Sequence, residues 1–102
     1  MTNLPCADLL SDYLTSDGVE VFNPANRQSV AFVKDWSRGE VEDAIDRAAD
    51  ALPAWRDRNV KERAKILRAW FEAIIARKED LAQLMTLEQG KVISESRIEV
   101  EY

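Results

Sequence analysis

Residues 37–56 read SRGEVEDAIDRAADALPAWR. The opening Ser37-Arg38-Gly39-Glu40 has the form of a capping box, in which the serine hydroxyl accepts from the backbone N–H of Glu40 and the glutamate carboxylate reaches back to the serine N–H. Val41, Ile45, Ala48, Ala49 and Leu52 then recur at helical intervals and make one apolar stripe, while Glu42, Asp43, Asp46, Arg47 and Asp50 take the other face. The spacing predicts an amphipathic helix that starts at Ser37 and that Pro53 ends or kinks. Trp55 stands just past that point, where a large ring covers a helix end as core.

Downstream, Asn59-Val60-Lys61-Glu62 repeats the capping logic with asparagine as the cap and an acid in the first turn. Ile66, Leu67, Trp70, Phe71, Ile74 and Ile75 form a wide apolar stripe, continued at helical spacing by Leu81, Leu84, Met85 and Leu87, with Gly90 placed as a left-handed C-terminal cap. One long helix, or two with a kink near Glu79-Asp80, satisfies this pattern. Residues 91–102, KVISESRIEVEY, fit either a further helix or an alternating strand. The segment reaches Tyr102 without a capping or stop signal, as expected where more residues follow.

Upstream, Val19 and Val21, the cluster Asn23-Pro24-Ala25-Asn26, and then Val30 and Phe32 are two short alternating stretches around turn-forming residues, which predicts a β-hairpin. Residues 1–18 mix Leu9, Leu10, Tyr13 and Leu14 with polar residues without sustained periodicity and are expected to form a loosely attached arm. The expected organisation is therefore an arm over residues 1–18 and a predominantly helical part over residues 19–102.

A chain of 102 residues, 46% hydrophobic and 32% charged, supports one modest core and excludes a fibrous or largely disordered class. The net charge of −5 repels nucleic acid and anionic membrane surfaces, so neither is an expected partner. The apolar runs fall far short of the roughly 20 residues that cross a bilayer. A single cysteine, Cys6, forms no internal disulfide, and without a secretory pattern at the N-terminus the expected location is the cytoplasm.

The residues offer little chemistry. With no histidine, the commonest general base and metal ligand is missing, which excludes a histidine triad or a histidine-based zinc site. Cys6 lies in an unpatterned stretch with nothing nearby in sequence to lower its pKa. Glycine stands only at 18, 39 and 90, so neither a dinucleotide fingerprint nor a P-loop can be written. The carboxylates, Glu95, Glu99 and Glu101 among them, are spread as solvated helix faces are, and the Trp70, Phe71 and Ile74 cluster reads as core rather than as a ligand pocket. No catalytic, cofactor-binding or metal-ligating residue is assigned.

Residues 21–25 (VFNPA), 44–56 (AIDRAADALPAWR), 61–68 (KERAKILR) and 84–91 (LMTLEQGK), followed by Glu95 and by Glu99-Val100-Glu101-Tyr102, occur in the order and spacing of one known family. Over residues 19–102 the chain resembles the NAD(P)-dependent aldehyde dehydrogenase superfamily at its N-terminal end, and looks most like the succinate-semialdehyde dehydrogenase branch. The resemblance implies an α/β fold of Rossmann type in the whole family member. It makes this segment a short antiparallel β-hairpin followed by two or three amphipathic α-helices, the truncated opening of the cofactor-binding half.

It implies NAD or NADP as the cofactor of the full-length family and oxidation of an aldehyde to the acid through a cysteine thiohemiacetal, hydride transfer and hydrolysis of the thioester. No position of this chain matches the family's nucleophile, base, oxyanion asparagine, cofactor-phosphate contacts or substrate-binding arginines, and Cys6 does not align with the nucleophile. The chain alone is expected to be inactive and to bind no cofactor. Its expected partners are a second copy, by self-association, or the remainder of the fold, by packing. The alternative is a stand-alone remnant acting as a helical binding or assembly module.

The departures from the pattern fall at turns. The family usually has a threonine-glycine-glutamate where Asn26-Arg27-Gln28 stands, a proline at Val92 and a glycine at Ile98. If the turn needs a positive φ at residue 27, arginine there costs about 1 kcal/mol or more relative to glycine.

Overall fold

A computed structural model describes residues 4–102; the first three residues of the expected arm lie outside the described residues. The element order is α1 (Ala7–Leu10), β1 (Leu14–Phe22), β2 (Ser29–Val33), α2 (Arg38–Arg56), α3 (Val60–Ala76), α4 (Lys78–Gln89) and α5 (Ile93–Glu101). A two-stranded antiparallel hairpin followed by amphipathic helices is what the sequence predicts. Four helices follow the hairpin, because the long apolar stripe is split at Arg77 and the last segment is helical. The backbone divides into two compact units, one joining the residues through Asp35 with Ile74–Tyr102, the other being Trp36–Ala73.

In the first unit the hairpin begins at Leu14 rather than at Val19. Leu14 and Val19 both pair with Val33, so residues 15–18 bulge out of the ladder, and the Thr15 hydroxyl donates to Asp17 Oδ1 at 2.6 Å within that bulge. An interruption of this kind breaks the alternation of apolar residues that marks a strand. Gly18 is required there by contact: a Cβ on it would lie 1.9 Å from the Val33 carbonyl oxygen.

The turn between the strands closes through Arg27 N–H to the Asn23 carbonyl at 2.7 Å and Asn23 N–H to the Gln28 carbonyl at 2.9 Å. The Asn23 side chain accepts from Ala25 N–H at 2.9 Å and the Asn26 side chain from Gln28 N–H at 3.0 Å. Arg27 takes φ 60°, the left-handed value that favours glycine. Pro24 of this turn rests on the end of α4, where Gly90 caps the helix at φ 71° and its N–H donates to the Thr86 carbonyl at 2.9 Å. A Cβ at Gly90 would stand 2.8 Å from Pro24 Cγ, so this position excludes a side chain by both backbone angle and space.

The buried centre of the first unit lies between α4 and α5. Ala82 and Ser96 are fully buried, and the Ser96 and Thr86 hydroxyls are 2.9 Å apart. Small residues let two helices approach closely, and the hydroxyl pair satisfies the polar atoms that this approach removes from water. Around the rim, Arg97 grips Glu79 with two hydrogen bonds of 2.9 and 2.8 Å, and Lys78–Glu101 and Lys91–Glu99 close the flanks.

In the second unit the capping box forms as read: Glu40 N–H donates to Ser37 Oγ at 3.3 Å and Ser37 N–H to Glu40 Oε2 at 2.9 Å. Pro53 neither ends nor visibly breaks α2, which runs on to Arg56, so Trp55 is half-buried within the last turn and not beyond it. A proline this close to a helix end removes one bond of the ladder, and the Asp57 N–H resumes it at the Pro53 carbonyl, 3.0 Å away. Asn59 caps α3 by accepting from Lys61 N–H at 2.8 Å. Neither α2 nor α3 contains a buried residue.

The positive φ at residue 27 yields a direct test. Arg27→Gly should raise the unfolding free energy in urea by about 1 kcal/mol, because glycine adopts φ 60° without the Cβ clash. An unchanged or lower midpoint would show that the side chain contributes more than the backbone angle costs.

Candidate functional site

Arg77 occupies the break between α3 and α4, with φ −108° and ψ 15°. Its N–H donates to the Ile74 carbonyl at 3.1 Å, and its own carbonyl accepts the first bond of α4 from Leu81 at 3.0 Å. From there the guanidinium donates through Nη1 and Nη2 to the two carboxylate oxygens of Asp8, both at 2.8 Å, and through Nε to Asp80 Oδ2 at 3.1 Å. A planar fork of donors suits this two-point grip on a carboxylate. Beside it Cys6 is buried, and a cavity of about 330 Å³ is lined by Cys6, Asp8, Arg77, Asp80 and Gln83.

The charges in this cluster are used on one another. Hydrogen bonds from Arg77 hold the Asp8 carboxyl at about 2, below the usual carboxylate range, and the same contacts raise the Arg77 guanidinium. Burial pushes the Cys6 thiol up, and the nearby Arg77 charge offsets only part of that shift. A thiol held protonated is a poor nucleophile. Arg77 was not singled out by sequence reasoning, and no local pattern could have revealed it, because Asp8 lies 69 residues away.

Two further hollows belong to the first unit. A groove of about 490 Å³ along α4 and α5 has Ile74, Leu81, Leu84, Met85 and Val100 in its walls with Glu88 and Glu99 at its edge, a surface suited to packing rather than to chemistry. A pocket of about 260 Å³ beside the hairpin turn is lined by Asn23, Asn26, Gln28 and Ser29, whose amides are largely engaged by the turn itself. Among the described residues no group of three or more His, Cys, Asp or Glu converges to hold a metal ion. No helix among them is long and apolar enough to cross a membrane. Glu95, Glu99 and Glu101 all fall on α5, and the last two are paired with lysines.

What this scaffold offers is helical surface. In the second unit Ile45, Leu52, Val60, Leu67 and Trp70 are all half exposed or more, Trp70 to 65%. These residues are exposed apolar surface on α2 and α3.

Residues 13–102 match the model of the aldehyde dehydrogenase family. The chain belongs to that family. It is 45% identical to the NADP(+) succinate-semialdehyde dehydrogenase of Escherichia coli K12 over 89% of its own length and 19% of the relative's. It is 44% identical to the glutarate-semialdehyde dehydrogenase of Pseudomonas aeruginosa, covering 82% of this chain and 17% of that protein. Among solved structures, an aldehyde dehydrogenase from Brucella melitensis biovar abortus superposes with a TM-score of 0.86 at 38% identity, covering all of this chain and 23% of that one. The succinate-semialdehyde dehydrogenase of Burkholderia pseudomallei superposes at 0.78 with 43% identity. The chain thus spans about a fifth of the length of these relatives, at their N-terminal part.

The aldehyde dehydrogenase family generally uses NAD(P), and the glycines of this chain do not fit that cofactor's phosphates. Gly18 is pressed against the Val33 carbonyl, Gly39 lies in the first turn of α2, and Gly90 is covered by Pro24, so none opens a phosphate-binding loop.

The two depressed carboxyls set an acid limit on the first unit. Asp8 and Glu79 both sit at about 2 when folded, held chiefly by hydrogen bonds from Arg77 and Arg97, against an ordinary value near 4. A group whose folded pKa is depressed contributes stability that is complete above its unfolded pKa and is lost as pH falls through the folded one. The thermal midpoint should therefore fall between about pH 4.5 and pH 2, and the drop should shrink in Asp8→Asn/Glu79→Gln. An equally steep fall in the double variant would assign the acid limit to other groups.

Proposed function

We propose that this chain provides the N-terminal scaffold of the cofactor-binding half of an NAD(P)-dependent aldehyde-oxidising enzyme, and that the reacting groups are supplied by residues outside this stretch. The observation that carries the reading is the pairing of sequence match with unsatisfied surface. The chain matches about a fifth of its relatives' length, and α2 and α3, which bury no residue of their own, carry continuous apolar stripes. At about 25 cal/mol per Å² such surface favours coverage by the rest of a fold or, in the chain by itself, by a second copy.

The reaction proposed for the whole is aldehyde plus water plus oxidised nicotinamide giving carboxylic acid, reduced nicotinamide and a proton. A semialdehyde bearing a carboxylate, such as succinate semialdehyde, is the substrate class that the names of the relatives favour. The location that goes with this reading is the cytoplasm. The arm over residues 1–18 and the scaffold over residues 19–102 divide the chain in this proposal, with the arm serving attachment.

One experiment addresses the scaffold role. The purified chain, given succinate semialdehyde with NAD⁺ or NADP⁺, should produce no absorbance of reduced nicotinamide. Added to the Escherichia coli relative from which the matched segment has been deleted, it should restore turnover. Sustained turnover by the chain alone that survives repurification would contradict the proposal, and so would failure to restore activity while the intact relative works under the same conditions.

A further inference from the structure

Residues Leu4–Leu10 are attached to the α3–α4 junction by very little. The helix α1 has four residues, too few to be stable unaided, and none of them is buried. Leu9, its most apolar exposed residue, is half in solvent and anchors nothing. The internal bonds are local: Ala7 N–H to the Leu4 carbonyl at 3.2 Å, and Leu9 N–H to the Cys6 carbonyl at 2.9 Å. Beyond the segment, Cys6 is buried, Arg77 grips Asp8 at two points, Leu4 lines a pocket with Val30 and Leu87, and the Leu10 carbonyl accepts from Tyr13 N–H at 2.8 Å.

Cys6 also carries strain. It takes φ 59°, a left-handed angle unfavourable to a residue with a side chain, and it is held there by the segment on either side. The receiving surface does not share this fragility. Asp80 fixes the Nε edge of the Arg77 guanidinium, so the fork is already set when the Asp8 carboxylate meets it. Helices α4 and α5 are joined through Thr86–Ser96 and Arg97–Glu79, contacts that involve no residue of the segment. Past the segment the chain is secured again at Tyr13, whose carbonyl accepts from Lys34 N–H at 2.8 Å.

We infer that residues Leu4–Leu10 form a strap latched by the Asp8–Arg77 clasp, whose release is a discrete local opening that uncovers Cys6 and the Arg77 face while α4 and α5 stay folded. The turn at Ser11–Asp12 is the hinge. Opening relieves the left-handed angle at Cys6 and frees a two-donor edge of a guanidinium that the closed strap occupies. Local openings of this kind draw on the least anchored part of a fold and proceed independently of global unfolding.

Cys6 is the only cysteine in the chain and so reports on the strap without any label. The rate of its reaction with Ellman's reagent under native conditions measures how often the strap is open. Asp8→Asn removes the carboxylate from the clasp and should raise that rate about fivefold with helical circular dichroism unchanged. Arg77→Met combined with Asp8→Asn should add little, because both changes break one contact.

Asp80→Asn makes the same charge change beside the thiol but leaves Asp8 on Arg77, and should stay near the wild-type rate. An Asp8→Asn rate equal to the wild-type rate would overturn the latch. So would an acceleration matched by Asp80→Asn, or one accompanied by loss of helix.

Discussion

Helices α4 and α5 meet through two residues with almost no side chain to spare, Ala82 and Ser96, and the rest of the first unit is hung on that meeting. Larger side chains at either position would push the helices apart and strand the Thr86 hydroxyl without its partner across 2.9 Å. Glu79–Arg97 and Lys78–Glu101 cross between the two helices at the rim, and Lys91 of the connection pairs with Glu99. The end of α4 in turn receives Pro24 of the hairpin turn against Gly90, and its beginning receives Asp8 against Arg77. One close helix pair thus positions the hairpin at one end and the N-terminal strap at the other.

The second unit shows the opposite economy. Local signals there are complete: a capping box at Ser37, an asparagine cap at Asn59, and ion pairs Arg38–Glu42 and Arg68–Glu72 one turn apart on the exposed faces. Surface pairs of this kind each contribute a few tenths of a kcal/mol or less. They specify helices without burying them, and most helical stability in proteins comes from the packing of an apolar face. The relatives of this chain are about five times longer, and the apolar faces of α2 and α3 stay exposed in this stretch of the family.

Local chemistry was legible in the residues and long-range chemistry was not. The capping box and the glycine cap at residue 90 each follow from what a few adjacent residues can do, and each is present, whereas the positive φ at residue 27 was raised only through the family resemblance. Of the two outcomes the sequence allows at Pro53, an end or a kink, the end does not occur, because α2 runs on to Arg56. The start of β1 was placed too late because the bulge at residues 15–18 disrupts the period-two signal. The break fell at Arg77 and not near Glu79-Asp80, since the junction is held by a carboxylate far away in sequence. Residues 91–102 were balanced between helix and strand, and the choice is made by Ser96 facing α4, a tertiary effect. The family itself came from whole motifs rather than from any single reactive residue.

Among the described residues the buried side chains lie in the α4–α5 pair and its attachments, while α2 and α3 bury none, so stability concentrates in the former. Amide hydrogen exchange on the purified chain, read residue by residue, tests this most directly. The account predicts strong protection across Lys78–Glu101 and exchange at least about tenfold faster in the interior of α2 and in α3 up to Ala73. Equal or greater protection in α2 and α3 would contradict it, because those helices would then have a source of stability that their exposed faces do not reveal.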